Sequence, residues 1–220
     1  MIEEILPAGV QVVEAFTDAP GLTLFPEEEA VIARAVEKRR REFTTTRCCA
    51  RSALAGLGLP AVPILPGLRG APIWPPGVVG SMTHCLGYRA AAVARATQVT
   101  AIGLDAEPNE PLPEGVLPVI ADEGEQAWVA RLTAQRPQFS WDRILFSAKE
   151  SVYKAWFPLT SRWLDFTEAR LTLDPDQGTF AADLLVPGPT TAEGRELTGF
   201  EGRWLVGRDL VMTAITVPRG

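Results

Sequence analysis

Cysteine is scarce in this chain: three occur among 220 residues, Cys48, Cys49 and Cys85. An odd count with two of them adjacent suits neither a disulfide framework nor the spaced ligands of a zinc site, so buried free thiols in a reducing compartment are expected. Basic excess is lacking too. Lysine and arginine total 21 against 27 acids, a formal net charge of −6, which argues against general nucleic-acid binding while leaving room for a local basic pocket. No uninterrupted apolar run approaches the roughly 20 residues that cross a bilayer. The opening MIEEILPAGV is acidic and has no cationic flank before an apolar run, so no secretory leader is read there. The expectation is a soluble cytoplasmic protein with no membrane and no nucleic-acid partner. With 46% hydrophobic residues the chain can build a sizeable core, as one large domain or two packed halves of about 100 residues each.

Periodicity sketches a mixed architecture. Pro26 followed by Glu27, Glu28 and Glu29 starts a helix, proline in the first turn and acids at the positive dipole end. That helix is expected to end at the cations Lys38 to Arg41, and a second helical segment through Leu54 to be closed by Gly56 and Gly58. Residues 60–77, rich in proline and glycine, read as a long surface connection. Residues 78–84, 88–96 and 99–107 read as strands. Asp122 with Glu125 forms a capping box, and Ser140 caps a further helix that Pro158 stops. The tail is β-like, with a hairpin turning at Gly207-Arg208-Asp209. One internal echo stands out: Phe43-x3-Arg47-x3-Arg51 in the first half, Phe146-x3-Glu150-x3-Lys154 in the second. Read as a repeat, it implies an α+β fold of two similar α/β subdomains, residues 1–100 and 101–220, with an arginine wall facing a carboxylate wall.

Three stretches carry candidate chemistry. In Gly103-Leu104-Asp105-Ala106-Glu107, side chains two apart on a strand share a face, so Asp105 and Glu107 project together and repel unless a cation lies between them. A hard divalent ion shared with substrate phosphates is one partner; a solvated acidic strand end before Pro108 is the other reading. In FSAKESVYK, residues 146–154, Glu150 and Lys154 lie one turn apart on one helical face, with Lys149 offset by about 100°. An exposed ion pair would explain the spacing, but the apolar flanks Phe146, Val152 and Trp156 argue for burial, where charges need compensation. In GSMTH, residues 80–84, Ser81, Thr83 and the sole histidine, His84, can donate to phosphate oxygens. Arg47 and Arg51 supply guanidinium forks for a terminal phosphate, or else form a solvated cationic face. The set suits a ligand with a pyrophosphate and a separate phosphate, a layout that coenzyme A shares with other nucleotides.

These motifs together resemble the 4′-phosphopantetheinyl transferase superfamily, in its larger pseudo-dimeric branch of surfactin and enterobactin type. IGLDAE (102–107), FSAKESVYK (146–154) and WPPGVVGSMTH (74–84) match its signatures in order, and the wording is closest to actinobacterial enterobactin-like enzymes. The resemblance spans roughly residues 40–157. It implies two subdomains related by pseudo-twofold symmetry and a monomer that moves the phosphopantetheine arm of coenzyme A onto a serine of an apo acyl or peptidyl carrier protein, in polyketide or nonribosomal-peptide assembly. It further implies that Asp105, Glu107 and Glu150 hold magnesium, with manganese as a substitute. Lys149 and Lys154 would face the phosphates, and His84 with Ser81 or Thr83 the pyrophosphate or 3′-phosphate region. Arg47 and Arg51 would take the 3′-phosphate, and Arg69 would approach the nucleotide. Glu150 is the expected base, with Glu107 acting through water as the alternative and Lys154 offsetting charge. Two rivals fit the composition: a metal-dependent phosphodiesterase or nuclease, and a non-catalytic coenzyme A-binding module.

Overall fold

The computed structural model describes every residue except Ala192, Glu193, Arg195 and Gly220. The first half consists of β1 (Gln11–Ala15), α1 (Pro26–Val31), α2 (Glu37–Gly56), β2 (Val78–Cys85) and β3 (Tyr88–Arg95). The second consists of β4 (Val99–Pro108), α3 (Leu117–Ile120), α4 (Glu123–Gln135), α5 (Trp141–Thr160), β5 (Ala169–Asp174), β6 (Thr179–Leu184), β7 (Gly199–Gly207) and β8 (Leu210–Pro218). Among the described residues two antiparallel sheets form, ordered β1-β3-β2 and β4-β8-β7-β6-β5. The halves share one topology: strand, 20-residue helix, then two strands, the last inserted between the other two. In the second half the β5–β6 hairpin extends the far edge of that unit, which is the α+β fold with paired subdomains that the echo implied.

Alternation along β3 explains how the halves stack. Its run of alanines is buried on both faces. Ala91 and Val93 pack with Ala50 and Leu54 of α2, while Ala90, Ala92 and Ala94 pack with Ile102, Leu104 and Ala106 of β4 and with Met212 and Ala214 of β8. Small side chains on a strand covered from both sides let both neighbours approach closely. The chain start crosses over: Ile2 and Ile5 join this shared cluster beside Leu210 and Met212. The odd positions of β4 face α5. A Cβ on Gly103 would lie 1.9 Å from the Ser151 carbonyl oxygen, so glycine there sets how near the strand and helix come.

Several expectations change. The helix begun at Pro26 ends at Val31, and the cations Lys38 to Arg41 lie in the first turns of α2, the end where the helix dipole disfavours them. Ser140 precedes α5 but makes no side-chain cap bond, and the helix continues through Pro158 to Thr160, because a proline so near the end forfeits only one backbone bond. The Asp122–Glu125 capping box forms as expected. So does the hairpin: Arg208 and Asp209 have φ of 51° and 57°, the pair of positive values that a type I′ turn demands. All three cysteines are free, although only Cys49 is fully buried.

Candidate active site

A cleft of about 750 Å³ opens between α2 and α5, floored by β2 and the start of β4. The first half contributes Arg39, Phe43 and Arg47, the second Asp105, Glu150 and Lys154. Residues about 100 apart in sequence thus line one cavity.

The acidic wall is tightly specified. Asp105 is 3% exposed; its Oδ1 accepts from Lys154 Nζ at 2.7 Å and from Thr83 Oγ1 at 3.3 Å. Its Oδ2 is buried with no hydrogen-bond partner among the described residues, an expensive arrangement for a carboxylate unless a cation completes it. Lys154 Nζ also donates to the Leu104 carbonyl at 3.0 Å. Glu107 Oε2 accepts from Arg143 at 3.2 Å, yet burial, with Asp105 beside it, pushes its pKa up to about 7. Burial and then Asp105 also raise Glu150. Among the described residues no three His, Cys, Asp or Glu side chains form a ready-made metal cluster. Magnesium shared with substrate phosphates does not need a closed protein cage. The orphaned Asp105 oxygen, and two neighbouring carboxylates that hold protons more readily than usual, fit a hard divalent cation.

The basic wall departs from the sequence expectation. Arg47 is buried, stacked 3.8 Å from the Phe43 ring centroid, and its Nε donates to the Ile64 carbonyl at 3.0 Å. Burial lowers its pKa to about 10, so it stays charged. Arg51 is not at the cleft: it pairs with fully buried Glu28 at 2.7 Å and donates to the Thr23 carbonyl. Arg39 takes its place, donating to His84 Nε2 at 2.6 Å. Arginine cannot accept, so the imidazole proton sits on Nδ1, 3.7 Å from Glu42 Oε2. Burial first, and Arg39 second, depress His84 to about 4, so the ring is neutral near pH 7. Arg69 lines the cleft with φ of 52°, its guanidinium 5.1 Å from the ring centroid of Trp163.

Two further assignments need correction. Lys149 does not line this cleft. It is 3% exposed and donates to Glu125 Oε2 at 2.8 Å and to the carbonyls of Phe166 and Ala169 at 2.7 and 3.0 Å. A turn of about 100° past the cleft face carries it to the α4–β5 side of the helix, where it borders a smaller adjoining cavity. Ser81 and Thr83 line the cleft, but their hydroxyl oxygens accept from the Leu104 and Ala106 amides of β4, and Thr83 Oγ1 also donates to Asp105.

Two family models match the chain in series. The 4′-phosphopantetheinyl transferase N-terminal domain covers residues 27–94, and the 4′-phosphopantetheinyl transferase superfamily covers residues 101–211. The chain belongs to the 4′-phosphopantetheinyl transferase superfamily. 4′-Phosphopantetheinyl transferase Svp of Streptomyces mobaraensis is 60% identical over 220 residues, 99% of this chain and 89% of that protein. Npt of Nocardia iowensis is 52% identical over 98% of this chain and 99% of its own length. PptT of Mycobacterium tuberculosis is 49% identical over 99% and 98% respectively. All three bear the transferase name, and neither rival reading, nuclease or binding module, finds support among them.

In this phosphopantetheinyl transferase two residues that engage candidate side chains escaped the sequence reading: Arg39, which lines the cleft, and Arg143, which pairs with Glu107 beside it. Neither Arg143 nor Glu107 is among the lining residues. Both had a signal. Arg39, Phe43, Arg47 and Arg51 recur every four residues, and each step of four rotates about 40° around a helix. Three successive members can share a wall; the fourth has turned away. Arg143 lies two turns before Glu150 on nearly the same face of α5, which brings it to Glu107.

Proposed function

We propose that this chain transfers 4′-phosphopantetheine from coenzyme A to a serine of an apo acyl or peptidyl carrier protein, giving the holo-carrier and adenosine 3′,5′-bisphosphate. The observation that carries the reading is the pairing of walls in one cleft: arginines and a neutral imidazole from the first half, carboxylates and Lys154 from the second. Coenzyme A has a matching layout, a 3′-phosphate at one end and a pyrophosphate at the other. Arg47 and Arg39, with His84 between Arg39 and Glu42, suit the 3′-phosphate, and Arg69 suits the nucleotide edge. Residues 1–100 would thus hold the nucleotide end, and residues 101–220 the reacting end.

Asp105, Glu107 and Glu150 would hold magnesium, or manganese in its place. When bound, that cation supplies positive charge to the pyrophosphate oxygens. Lys154, anchored on Asp105 and the Leu104 carbonyl, offsets charge that develops on the pyrophosphate. The carrier serine oxygen bonds to the β-phosphorus, the bond from that phosphorus to the bridging oxygen breaks, and the electron pair leaves with the nucleotide bisphosphate. Glu150 accepts the serine proton. Its affinity for protons is raised by burial and by Asp105, and among the described residues no side chain donates to it, whereas Glu107 is engaged by Arg143. A carrier substrate and coenzyme A place the reaction in the cytoplasm, with the protein acting as a monomer whose halves form one site; polyketide or nonribosomal-peptide assembly would supply the carriers. No described helix is long and apolar enough to cross a membrane.

The deciding experiment incubates the protein with coenzyme A, magnesium and a panel of apo-carriers, and reads carrier mass. A phosphopantetheine increment on at least one carrier is expected, and its loss in Glu150→Ala with coenzyme A binding retained. No increment on any carrier would overturn the reading; full turnover by Glu150→Ala would remove Glu150 as the base.

A further inference from the structure

Among the described residues β4 is the edge strand of its sheet, so its outward amides face no neighbouring strand. Side chains of β2 stand in for one. The Leu104 N–H donates to Ser81 Oγ at 3.0 Å and the Ala106 N–H donates to Thr83 Oγ1 at 3.1 Å. Serine and threonine two apart on one strand thus satisfy amides two apart on another, and bolt the first half to the second. Thr83 does more. Its proton goes to Asp105 Oδ1 at 3.3 Å, the oxygen that Lys154 also holds. The other oxygen, Oδ2, is left buried and unpartnered. Among the described residues Ser81 makes no hydrogen bond to a carboxylate.

We infer that Thr83 is a positioning residue for the transfer reaction: by tying Asp105 Oδ1 to β2 it fixes the carboxylate so that Oδ2 is presented to the cation. The inference rests on the proposed reading that Asp105 holds that cation. A hydroxyl has one proton and two lone pairs. The Thr83 proton is committed to Asp105 and one lone pair to Ala106, so no proton remains for a phosphate oxygen, the role its motif first suggested. Groups that orient a metal ligand from behind commonly set metal affinity by about 10- to 100-fold. Because Thr83 belongs to the first half and Asp105 to the second, the aim of this ligand depends on how the halves are seated.

The test measures Mn2+ affinity of the protein–coenzyme A complex, without carrier, from the electron paramagnetic resonance signal of free Mn2+. The unfolding midpoint without metal and the KM for coenzyme A are measured in parallel. Thr83→Val keeps the shape and removes the hydroxyl; it should weaken Mn2+ binding about tenfold or more. Thr83→Ser keeps the hydroxyl and should bind Mn2+ as the parent does. Ser81→Ala should lower the unfolding midpoint without moving Mn2+ affinity. Parental Mn2+ affinity in Thr83→Val, alongside its loss in Asp105→Asn, would overturn the role of Thr83 and leave the metal assignment standing. Parental affinity in Asp105→Asn would sink the metal assignment itself. A raised KM for coenzyme A with unchanged Mn2+ affinity would make Thr83 a phosphate contact instead. Should Thr83→Val not fold, the serine variant still decides: weakened Mn2+ binding with the hydroxyl intact counts against the role, and parental binding there with loss in Thr83→Ala supports it.

Discussion

Glu107 is partly buried and shares the α5 face of β4 with Asp105; burial first, and the neighbouring Asp105 charge second, raise its pKa to about 7. The folded chain therefore binds a proton, between about 4.5 and 7, that the unfolded chain has already released. Stability attributable to this group falls as pH rises through that window, and the full cost is present above it. Without metal or coenzyme A, Glu107→Gln should exceed the parent in stability at pH 8 by on the order of 1–3 kcal/mol, with the gain vanishing near pH 4.5. Urea unfolding at the two pH values checks this, and an equal gain at both would refute it. The sole histidine gives a second handle. His84 is held neutral, with its pKa depressed to about 4, so its contribution to stability is complete above about 6.5 and is lost as pH falls toward 4. A single imidazole resonance with a titration midpoint well below 6.5 is expected by NMR, and an ordinary midpoint would contradict the burial argument. At this scale the sequence singled out Asp105, Glu150, Lys154, Arg47 and His84, and all five line the cleft. Its errors, Lys149 and Arg51, were errors of rotation: residue type and spacing say which side chains share a helix, while the packing of that helix decides which of them face the ligand.

Gly103 shows why elements matter more than their residues. It permits α5 to approach β4 so closely that a single methyl would collide with the Ser151 carbonyl. The same approach brings Lys154 within 2.7 Å of Asp105. Gly103→Ala must push the two elements apart, at roughly 1–3 kcal/mol for such overpacking. Its unfolding midpoint should fall, and transferase activity should fall further than the lost stability explains, because the lysine and carboxylate separate together. An alanine variant with the parental midpoint would disprove the contact. Strand and hairpin signals were legible here because they are local: Leu171 and Leu173 alternate with polar residues along β5, and Gly207-Arg208-Asp209 marks the hairpin turn. Helix ends were less so. No glycine or proline announces the break after Val31, and Pro158 lies close enough to the end of α5 for the helix to run past it to Thr160.

Across the whole molecule, the proposed ligand joins the halves, since arginines from α2 and carboxylates from β4 and α5 line one cleft. Coenzyme A with magnesium should therefore stabilise the fold as a unit, by about 2.7 kcal/mol at a hundredfold excess over Kd. The resulting rise in unfolding midpoint should shrink with salt, as partly exposed phosphate–arginine contacts are screened. A salt-independent rise, or a separate transition for each half, would contradict that arrangement. The repeated topology was only half visible beforehand. The echo between Phe43-Arg47 and Phe146-Glu150 pointed to it, but the added β5–β6 hairpin and the chain start that crosses to β8 hide it from any linear reading. The sequence by itself determined the chemistry available, since signatures of consecutive residues fix which acids, lysine and imidazole can sit on one strand or one helical face. Only the tertiary structure decided which of them meet. The Ser81 and Thr83 hydroxyls, the substitution of Arg39 for Arg51 and the unpartnered oxygen of Asp105 arise from contacts between segments far apart in the chain, and no local periodicity encodes their relative rotation.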